Sequence, residues 1–286
     1  MTENLSLNDR TQRGAFFGRR GRVAVATAVA ILLVLLLAGW IARHFIVSAP
    51  GDDDDARRHW QRAQELIAAR EFTPATGELA QCLEAWPYNA EANFLMARTW
   101  RRAGSLSNSK VYLERAQALR WPKRQIDLER QLRRAQVGNV WDVEESLIEL
   151  VNTQPAEEII VLEALVAGFM ETDRLIDVIA LTNTWANRYP EDWLPLILRG
   201  NAELRLYGKS SDAARDFRRV LELKPRDVDA QLALAQVLTN KGDYLEAIPY
   251  YESCLSNESV NATDVLFGLV TCQFSLTSID QARATL

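Results

Sequence analysis

The sequence predicts an all-α solenoid, a stack of helix pairs, preceded by one transmembrane helix. The first observation is a ladder of prolines that are 35, 33, 35 and 35 residues apart: Pro87, Pro122, Pro155, Pro190 and Pro225. The second is that apolar residues recur at helical spacing between these prolines. The third is an uncharged run of 20 residues near the N-terminus. A fixed period of this length, with two helices in each period, is typical of repeat proteins.

Composition narrows the class of function. The 286 residues carry a net charge of −5, so we expect no nucleic-acid partner. The chain contains only two histidines, and it lacks the sequence patterns of phosphate loops, nucleophile–base sets and metal sites. We therefore predict no catalytic residue, no metal and no cofactor, and we expect that the chain is not an enzyme.

The N-terminal segment has the pattern of a membrane anchor. Residues 1–22 form a basic tail with five arginines, and Val23 to Ala42 carries no charge. At about 1.5 Å per residue this run spans roughly 30 Å, the thickness of the hydrocarbon core of a bilayer. We predict a transmembrane helix within residues 23–47. The alternatives are a cleaved signal peptide, whose apolar region is normally only about 7–15 residues, and a buried core helix.

The flanking charges predict the orientation of this anchor. Five arginines precede the run, whereas Arg43, Arg57 and Arg58 follow it, on the side that also carries the four aspartates of the linker at 48–55. The excess of positive charge favours a cytoplasmic N-terminus. The repeats would then be extracytoplasmic, and periplasmic if the protein is bacterial. The reverse topology, with cytoplasmic repeats, stays open.

Residues 56–286 divide into about six repeats and a truncated seventh. The first helix of a repeat is followed by a turn, and in four repeats a glycine marks that turn: Gly104, Gly138, Gly208 and Gly242. The third repeat is the least regular because polar residues occupy first-helix positions that should be buried. The seventh begins near Ala262 and is predicted to stop within a second helix that contains Ile279. We therefore expect the chain to be a fragment of a longer protein.

The sixth repeat has the clearest pattern of small, large and turn residues. Its characteristic positions are Leu234, Ala235, Gly242, Tyr244, Ala247 and Tyr251. This pattern resembles the tetratricopeptide repeat family, whose units stack into a right-handed superhelix. The resemblance covers residues 56–286. In its register Cys82 and Cys254 occupy position 27, a small and buried place, so we expect them to be inert core residues.

The resemblance also implies a binding surface, because the first helices of this family line a concave face on which peptides commonly bind. The predicted partner groove comprises Trp60, Phe94, Arg98, Arg101, Arg102, Leu128 and Arg205. The same mapping places Gln64, Glu91, Leu132, Glu163, Met170, Gln236 and Asn240 on the inward face. These positions carry no lysine, so we do not expect the lysine/asparagine clamp that grips a C-terminal carboxylate in some relatives.

Charge is segregated along the repeats. Residues 98–134 contain 11 basic and three acidic residues, a net charge of +8, whereas residues 142–192 contain 12 acidic and two basic residues, a net charge of −10. Arg98, Arg101 and Arg102 suggest an anionic peptide or polymer held by charge-assisted hydrogen bonds. The alternative is a basic helix face that is simply solvated.

These observations favour a membrane-anchored scaffold or assembly factor that binds a protein or peptide through its groove. The alternative is that the repeats form the substrate-binding arm of an enzyme whose catalytic domain lies beyond residue 286.

Overall fold

The protein is all-α in the part that the structure describes. The computed structural model describes residues 54–208, 210–255 and 262–285, with side chains up to Thr277. These residues form thirteen helices and no strand, which confirms the all-α part of the predicted fold class. The helices are α1 Asp54–Ala68, α2 Phe72–Ala85, α3 Ala90–Arg102, α4 Leu106–Ala118, α5 Lys123–Gln136, α6 Glu144–Thr153, α7 Glu158–Glu171, α8 Leu175–Arg188, α9 Leu194–Tyr207, α10 Ser211–Leu223, α11 Val228–Lys241, α12 Tyr244–Leu255 and α13 Ala262–Thr285.

The predicted basic tail, the transmembrane helix and most of the acidic linker lie outside the described residues. Within the described ranges, no helix combines the length and the apolar character that a membrane crossing requires. The anchor within residues 23–47 therefore stays a prediction.

The helices form two compact units that are divided within α5, between Ile126 and Asp127. We call the described residues up to Ile126 the N-terminal unit and those from Asp127 the C-terminal unit. In the N-terminal unit α1, α2 and α3 each pack against the next helix along the chain. In the C-terminal unit α6 to α13 pack in the same sequential way, and α11 also contacts α9 and α13. Short connections make successive helices antiparallel, as in a stack of helix pairs.

The proline ladder has the predicted place in the structure. Each of the five prolines lies in a connection between the second helix of one pair and the first helix of the next. The third pair also departs from the other pairs in the structure. Its connection between α5 and α6 is seven residues long and buries Val140 and Val143, and α6 has only ten residues.

The turns within the pairs use a left-handed residue. The four glycines predicted there all have positive φ, between 72° and 87°. Glycine adopts this conformation without steric cost. In the first and fourth pairs, however, Arg70 (φ 63°) and Asp173 (φ 55°) take the same conformation. A glycine-based pattern does not find these two turns, because the packed helices on either side impose the conformation.

The two ends of the repeat region differ from the prediction. Helix α1 begins at Asp54 rather than Ala56, so Asp54 and Asp55 belong to its first turn, where carboxylates interact favourably with the helix dipole. At the other end, α13 is continuous over 24 residues, and the turn and second helix that we expected before Ile279 are not formed. No glycine or proline interrupts the chain between Phe274 and Ile279.

Both units have apolar cores at the interfaces between their helices. In the N-terminal unit, Ala63, Leu79 and Met96 form one buried cluster. In the C-terminal unit the large, fully buried side chains include Trp185 and Phe217. Burial of such side chains against neighbouring helices is the main stabilising contribution in a stack of helices.

The cysteines lie in these cores. Cys82 and Cys254 are buried, as their position in the repeat predicted, and Cys272 is buried as well. Burial raises the pKa of the Cys82 thiol to about 11, and the nearby charge of Glu78 adds to the rise. Burial also raises the pKa of Cys254. The thiols of Cys82 and Cys254 therefore stay protonated at neutral pH and are poor nucleophiles.

Candidate functional site

Three neighbouring first helices of the C-terminal unit, α9, α11 and α13, line a groove. Its volume is about 550 Å³. This is within the range of sites that bind small ligands or a short stretch of peptide. The lining residues come from the three first helices and from α12: Leu204, Arg205, Gln236, Thr239, Asn240, Tyr251, Asp264, Phe267, Gly268 and Thr271.

The floor of the groove depends on a close approach of α13 to α12. A Cβ atom on Gly268 would lie 2.3 Å from Cζ of Tyr251, so only glycine allows this contact. Thr239 Oγ1 lies 3.3 Å from the Tyr251 hydroxyl and 3.2 Å from Cys272 Sγ. Burial raises the pKa of Tyr251, so its hydroxyl is neutral and serves as a hydrogen-bonding group. The floor is therefore rigid and uncharged.

One wall of the groove is polar. Gln236 and Asn240 are one helical turn apart on α11, and both side chains are exposed. The Nδ2 atom of Asn240 donates a 2.8 Å hydrogen bond to the carbonyl oxygen of Gly208. This bond orients the amide and leaves Oδ1 as an acceptor. Phe267 on α13 supplies an apolar surface to the groove, and its side chain is 77% exposed.

The charged groups of the groove largely offset one another. Arg205 donates a hydrogen bond to Asp173 Oδ1 and lies with Nη1 3.4 Å from the carbonyl oxygen of Met170. Asp264 also lines the groove and has the opposite charge to Arg205. The arrangement suits a ligand with many hydrogen-bonding groups and little net charge.

The structure brings together three of the residues that the repeat pattern placed on the inward face. Arg205, Gln236 and Asn240 line the same groove. Arg205 and Asn240 are 35 residues apart, the period of the repeat. Thr271 lies 35 residues after Gln236, so extending the period by one repeat would have found it. No periodic signal identifies Tyr251 or Phe267 as groove residues, because their places depend on how α12 and α13 pack.

Leu128, which we predicted to line the groove, lies in the core of the C-terminal unit. It is buried in a cluster with Leu132, Leu162 and Leu165. Its side chain stabilises the packing of the helices and is not on a surface that a partner contacts.

The predicted groove residues of the N-terminal unit make aromatic contacts with one another. Phe94 is buried, and its ring stacks on that of Trp121 with centroids 5.3 Å apart. The guanidinium of Arg98 lies over the same Phe94 ring at 4.9 Å. Trp60 is half-buried, with its ring centroid 6.4 Å from that of Trp86. Of these residues, Arg98 and Trp60 keep part of their surface exposed.

The neighbouring arginines have different environments. Arg101 is 0% exposed, so its guanidinium is not presented to solvent. Arg102 is half-buried, and its guanidinium lies 4.3 Å from the centre of the Phe72 ring. A cation over an aromatic ring contributes about 0.5–1 kcal/mol at an exposed site. The three arginines therefore do not form one open cationic patch.

Metal binding has no geometric basis in the described part of the chain. No group of three histidine, cysteine or acidic side chains converges there in a way that would hold a metal ion.

Comparison with known proteins agrees with this architecture. Residues 197–257 match the model of the family described as tetratricopeptide repeat. The match covers α9 to α12, which carry most of the groove, and confirms the resemblance for this segment. No curated protein matches the chain.

Solved structures are similar in fold. The chain is 14% identical to a chain of the APC/C hetero-tetramer Cut9–Hcn1, with a TM-score of 0.56, and the match covers 83% of this chain and 45% of that one. It is 18% identical to the P58(IPK) TPR domain, with a TM-score of 0.38, over 79% of this chain and 66% of that one. For the yeast Sti1 TPR2AB domain in complex with a pHSP90 peptide, the identity is 16% and the TM-score 0.37, over 77% of this chain and 86% of that one. The chain thus spans less than two thirds of the first and second of these relatives. The similarity to Cut9–Hcn1 supports the all-α repeat fold.

Proposed function

We propose that the chain is an interaction scaffold whose C-terminal unit binds a segment of another protein in the groove between α9, α11 and α13. The observation that carries this proposal is the convergence of Arg205, Gln236 and Asn240. The resemblance to the repeat family implied that they lie on the inward face, and all three line one cavity of about 550 Å³. A tetratricopeptide repeat match over α9 to α12 agrees with a protein-binding role.

The chemistry of the groove favours a peptide in an extended conformation. Such a peptide has unpaired backbone N–H and C=O groups that need partners when it is removed from water. The free Oδ1 of Asn240 accepts a hydrogen bond, and the amide of Gln236 both donates and accepts. Phe267 provides an exposed aromatic surface for one apolar side chain of the peptide. This combination of polar orientation and apolar contact is common in ligand sites.

The proposed ligand segment has little net charge, because Arg205 is paired with Asp173 and faces the opposite charge of Asp264. An anionic partner, if the chain has one, would instead depend on Arg98 and Arg102 in the N-terminal unit. Substitution of those two arginines tests that possibility without altering the groove.

Site-specific photocrosslinking tests the groove. A photoreactive amino acid is placed at Gln236 or Thr271 in the groove, and at Glu252 as a control. Glu252 is exposed on α12 and does not line the groove. We expect a discrete protein adduct from both groove positions and none from Glu252. Substituting Asn240→Arg, which fills the groove with a longer cation, should remove the adduct. Equal adducts from all three positions, or none from the groove, would contradict the proposal.

We also propose that residues 23–47 anchor this scaffold in a membrane, with the N-terminus in the cytoplasm and the repeats on the other side. The 20 uncharged residues and the preceding arginines support this part. The double substitution Leu33→Arg and Leu36→Arg should release the chain from membranes under alkaline carbonate extraction, while Leu33→Ala with Leu36→Ala should not. A reporter fused after residue 286 that is active only in the cytoplasm would contradict the orientation.

A further inference from the structure

The turns within the helix pairs of the C-terminal unit expose large apolar side chains. Among the described residues, six large apolar side chains are more than 60% exposed. Two of them lie on α13. The other four lie at four successive turns from a first to a second helix: Trp141 (73%), Ile176 (72%), Tyr207 (64%) and Leu245 (75%). We call these four residues the turn ladder.

Three members of the turn ladder occupy the same place in the repeat. Trp141, Ile176 and Leu245 each lie three residues after the left-handed residue of their turn, which is Gly138, Asp173 and Gly242 respectively. In the remaining pair this place is Ser211, and Tyr207 directly precedes the left-handed Gly208. Single exposed apolar residues are ordinary on a protein surface. Recurrence at one place in the repeat is not expected from scattered residues.

The four turns lie at the same edge of the C-terminal unit. Successive helices are antiparallel, so every turn from a first to a second helix is at one end of the stack, and every connection with a ladder proline is at the other end. Direct packing between first helices agrees with this arrangement. A Cβ atom on Gly168 of α7 would lie 2.3 Å from the carbonyl oxygen of Ala135 in α5, and α11 contacts both α9 and α13.

In each of the four turns, an acidic residue directly follows the third residue after the left-handed one. Asp142, Asp177, Asp212 and Glu246 come directly after Trp141, Ile176, Ser211 and Leu245. Each carboxylate has an arginine partner within the unit, at 2.5 to 2.8 Å: Arg134, Arg174, Arg215 and Arg218. In three of the pairs both side chains are exposed, where ion pairs contribute little to stability. Arg174 is largely buried and also binds Glu144. The carboxylates of these three exposed pairs can therefore exchange their arginine for water or for a cation of a partner at small cost.

The net charge around the turn ladder is negative. The segments 137–142, 172–177, 207–212 and 241–246 contain six acidic and three basic residues. Residues 142–192, which begin at the last residue of the first turn segment and include the whole second one, have 12 acidic and two basic residues. A surface with this charge attracts cationic partners and repels an anionic lipid surface.

We propose that the turn ladder is a docking surface for a basic amphipathic helix of another protein. Adjacent helices pack about 8–10 Å apart, which sets the approximate step between exposed side chains of the ladder. Seven residues of an α-helix rise about 10.5 Å, so apolar residues that recur every seven positions match this step. Lysines and arginines beside them would face the carboxylates of the turns. This surface is separate from the groove, so its test is independent of the groove proposal.

Binding of a defined probe tests the docking surface. The full chain is titrated with a fluorescent 28-residue helix that has leucine at every seventh position and lysine and alanine elsewhere, a length of about 42 Å. Two control probes have glutamate in place of lysine, or the same composition in shuffled order. We expect the basic probe to bind, binding to weaken as salt is raised, and the controls to bind at least about tenfold more weakly.

Paired variants locate the binding. The double substitution Ile176→Ser and Leu245→Ser removes two ladder side chains that are almost fully exposed, so thermal stability should not change. It should weaken binding of the basic probe by about tenfold or more. Phe274→Ser on α13 removes an equally exposed aromatic side chain (72%) outside the turns and should leave binding unchanged. Failure of the basic probe to bind, or equal losses in the two variants, would overturn the proposal. So would binding to phosphatidylserine vesicles that the double substitution abolishes.

Discussion

Asn240 and Gly208 join two consecutive helix pairs. The Nδ2 atom of Asn240 donates a 2.8 Å hydrogen bond to the carbonyl oxygen of Gly208, which is the C-cap residue of α9. Carbonyl groups at the end of a helix have no partner within the helix, so a side chain from the next repeat satisfies one of them. The same amide forms part of the groove wall, so one residue contributes to stacking and to the proposed site.

Replacing Asn240 should therefore affect both the stability of the stacked helix pairs and binding in the groove. We expect Asn240→Ala to lower the free energy of unfolding by about 1 kcal/mol, the typical net contribution of one hydrogen bond, and to weaken the groove crosslink. Asn152→Ala removes an exposed hydrogen bond to Ile148 within the same helix and should change neither the crosslink nor the stability by more than about 0.5 kcal/mol. Urea denaturation and the crosslink yield measure the two effects. A loss of stability without any change in crosslinking would show that Asn240 does not contribute to binding in the groove.

A substitution of Gly268 should be unfavourable because of the contact with Tyr251. The added Cβ would lie 2.3 Å from Tyr251 Cζ, so the helices must separate. We expect Gly268→Ala to destabilise the fold by about 1–3 kcal/mol. Gly77 is also inside a helix, but a Cβ added there would have no neighbouring atom within 4 Å, and Gly77→Ala should stabilise the fold by about 0.5–1 kcal/mol. Thermal denaturation should show opposite signs for the two variants, and equal signs would contradict the packing.

Glu203 should make stability depend on pH. Its side chain is buried between α9 and α10, near Arg199, Asp212 and Asp216, and burial raises its pKa above the ordinary value of 4.5. A hydrogen bond of 2.7 Å from the Ser210 hydroxyl opposes this rise. Because the folded pKa exceeds the unfolded pKa, the contribution to stability is complete below the unfolded value and is lost as the pH rises through the folded value.

The expected consequence is that Glu203→Gln is more stable than the unchanged protein at neutral pH, whereas this advantage disappears below pH about 4. Urea denaturation at several pH values measures the difference. Glu222→Gln is the control, since Glu222 is exposed and pairs with Arg219 at the surface, and it should show little change. An advantage of Glu203→Gln that grows as the pH falls would contradict the sign.

Arg101 should not tolerate a reversal of charge. Its side chain is fully buried, so Arg101→Glu would place a carboxylate where a guanidinium is held, at a cost of about 3–5 kcal/mol. We expect thermal denaturation of Arg101→Glu to show either no cooperative transition or a large fall in its midpoint. Unchanged melting would show that the residue is accessible.

Arg98 and Arg102 provide the test of the anionic partner. Both are partly exposed, so the double substitution Arg98→Glu and Arg102→Glu should leave the protein folded. If these arginines hold an anionic ligand, salt-sensitive binding of polyglutamate should fall, whereas Arg62→Glu on the exposed face of α1 should have no effect. Equal polyglutamate binding by all three proteins would remove the anionic-partner hypothesis.

Part of the architecture followed from the periodicity of the chain. Proline lacks a backbone donor and restricts the residue before it, so Pro87 and its successors predicted where one pair ends. Glycine at the turns had a similar local reason, and four of the six turns were placed in this way. The resemblance to the repeat family implied that Arg205, Gln236 and Asn240 lie on one face. The period supports this for Arg205 and Asn240, which are 35 residues apart and so occupy the same place in successive repeats.

The remaining features depended on contacts between helices that are distant in sequence. The left-handed conformations of Arg70 and Asp173 and the burial of Arg101 and Leu128 have no local signal. The exact rotation and separation of packed helices decide which residues of a periodic face reach solvent. By itself, therefore, the sequence determined the helix pairs and their order, whereas only tertiary packing decided which side chains form the groove and which fill the core.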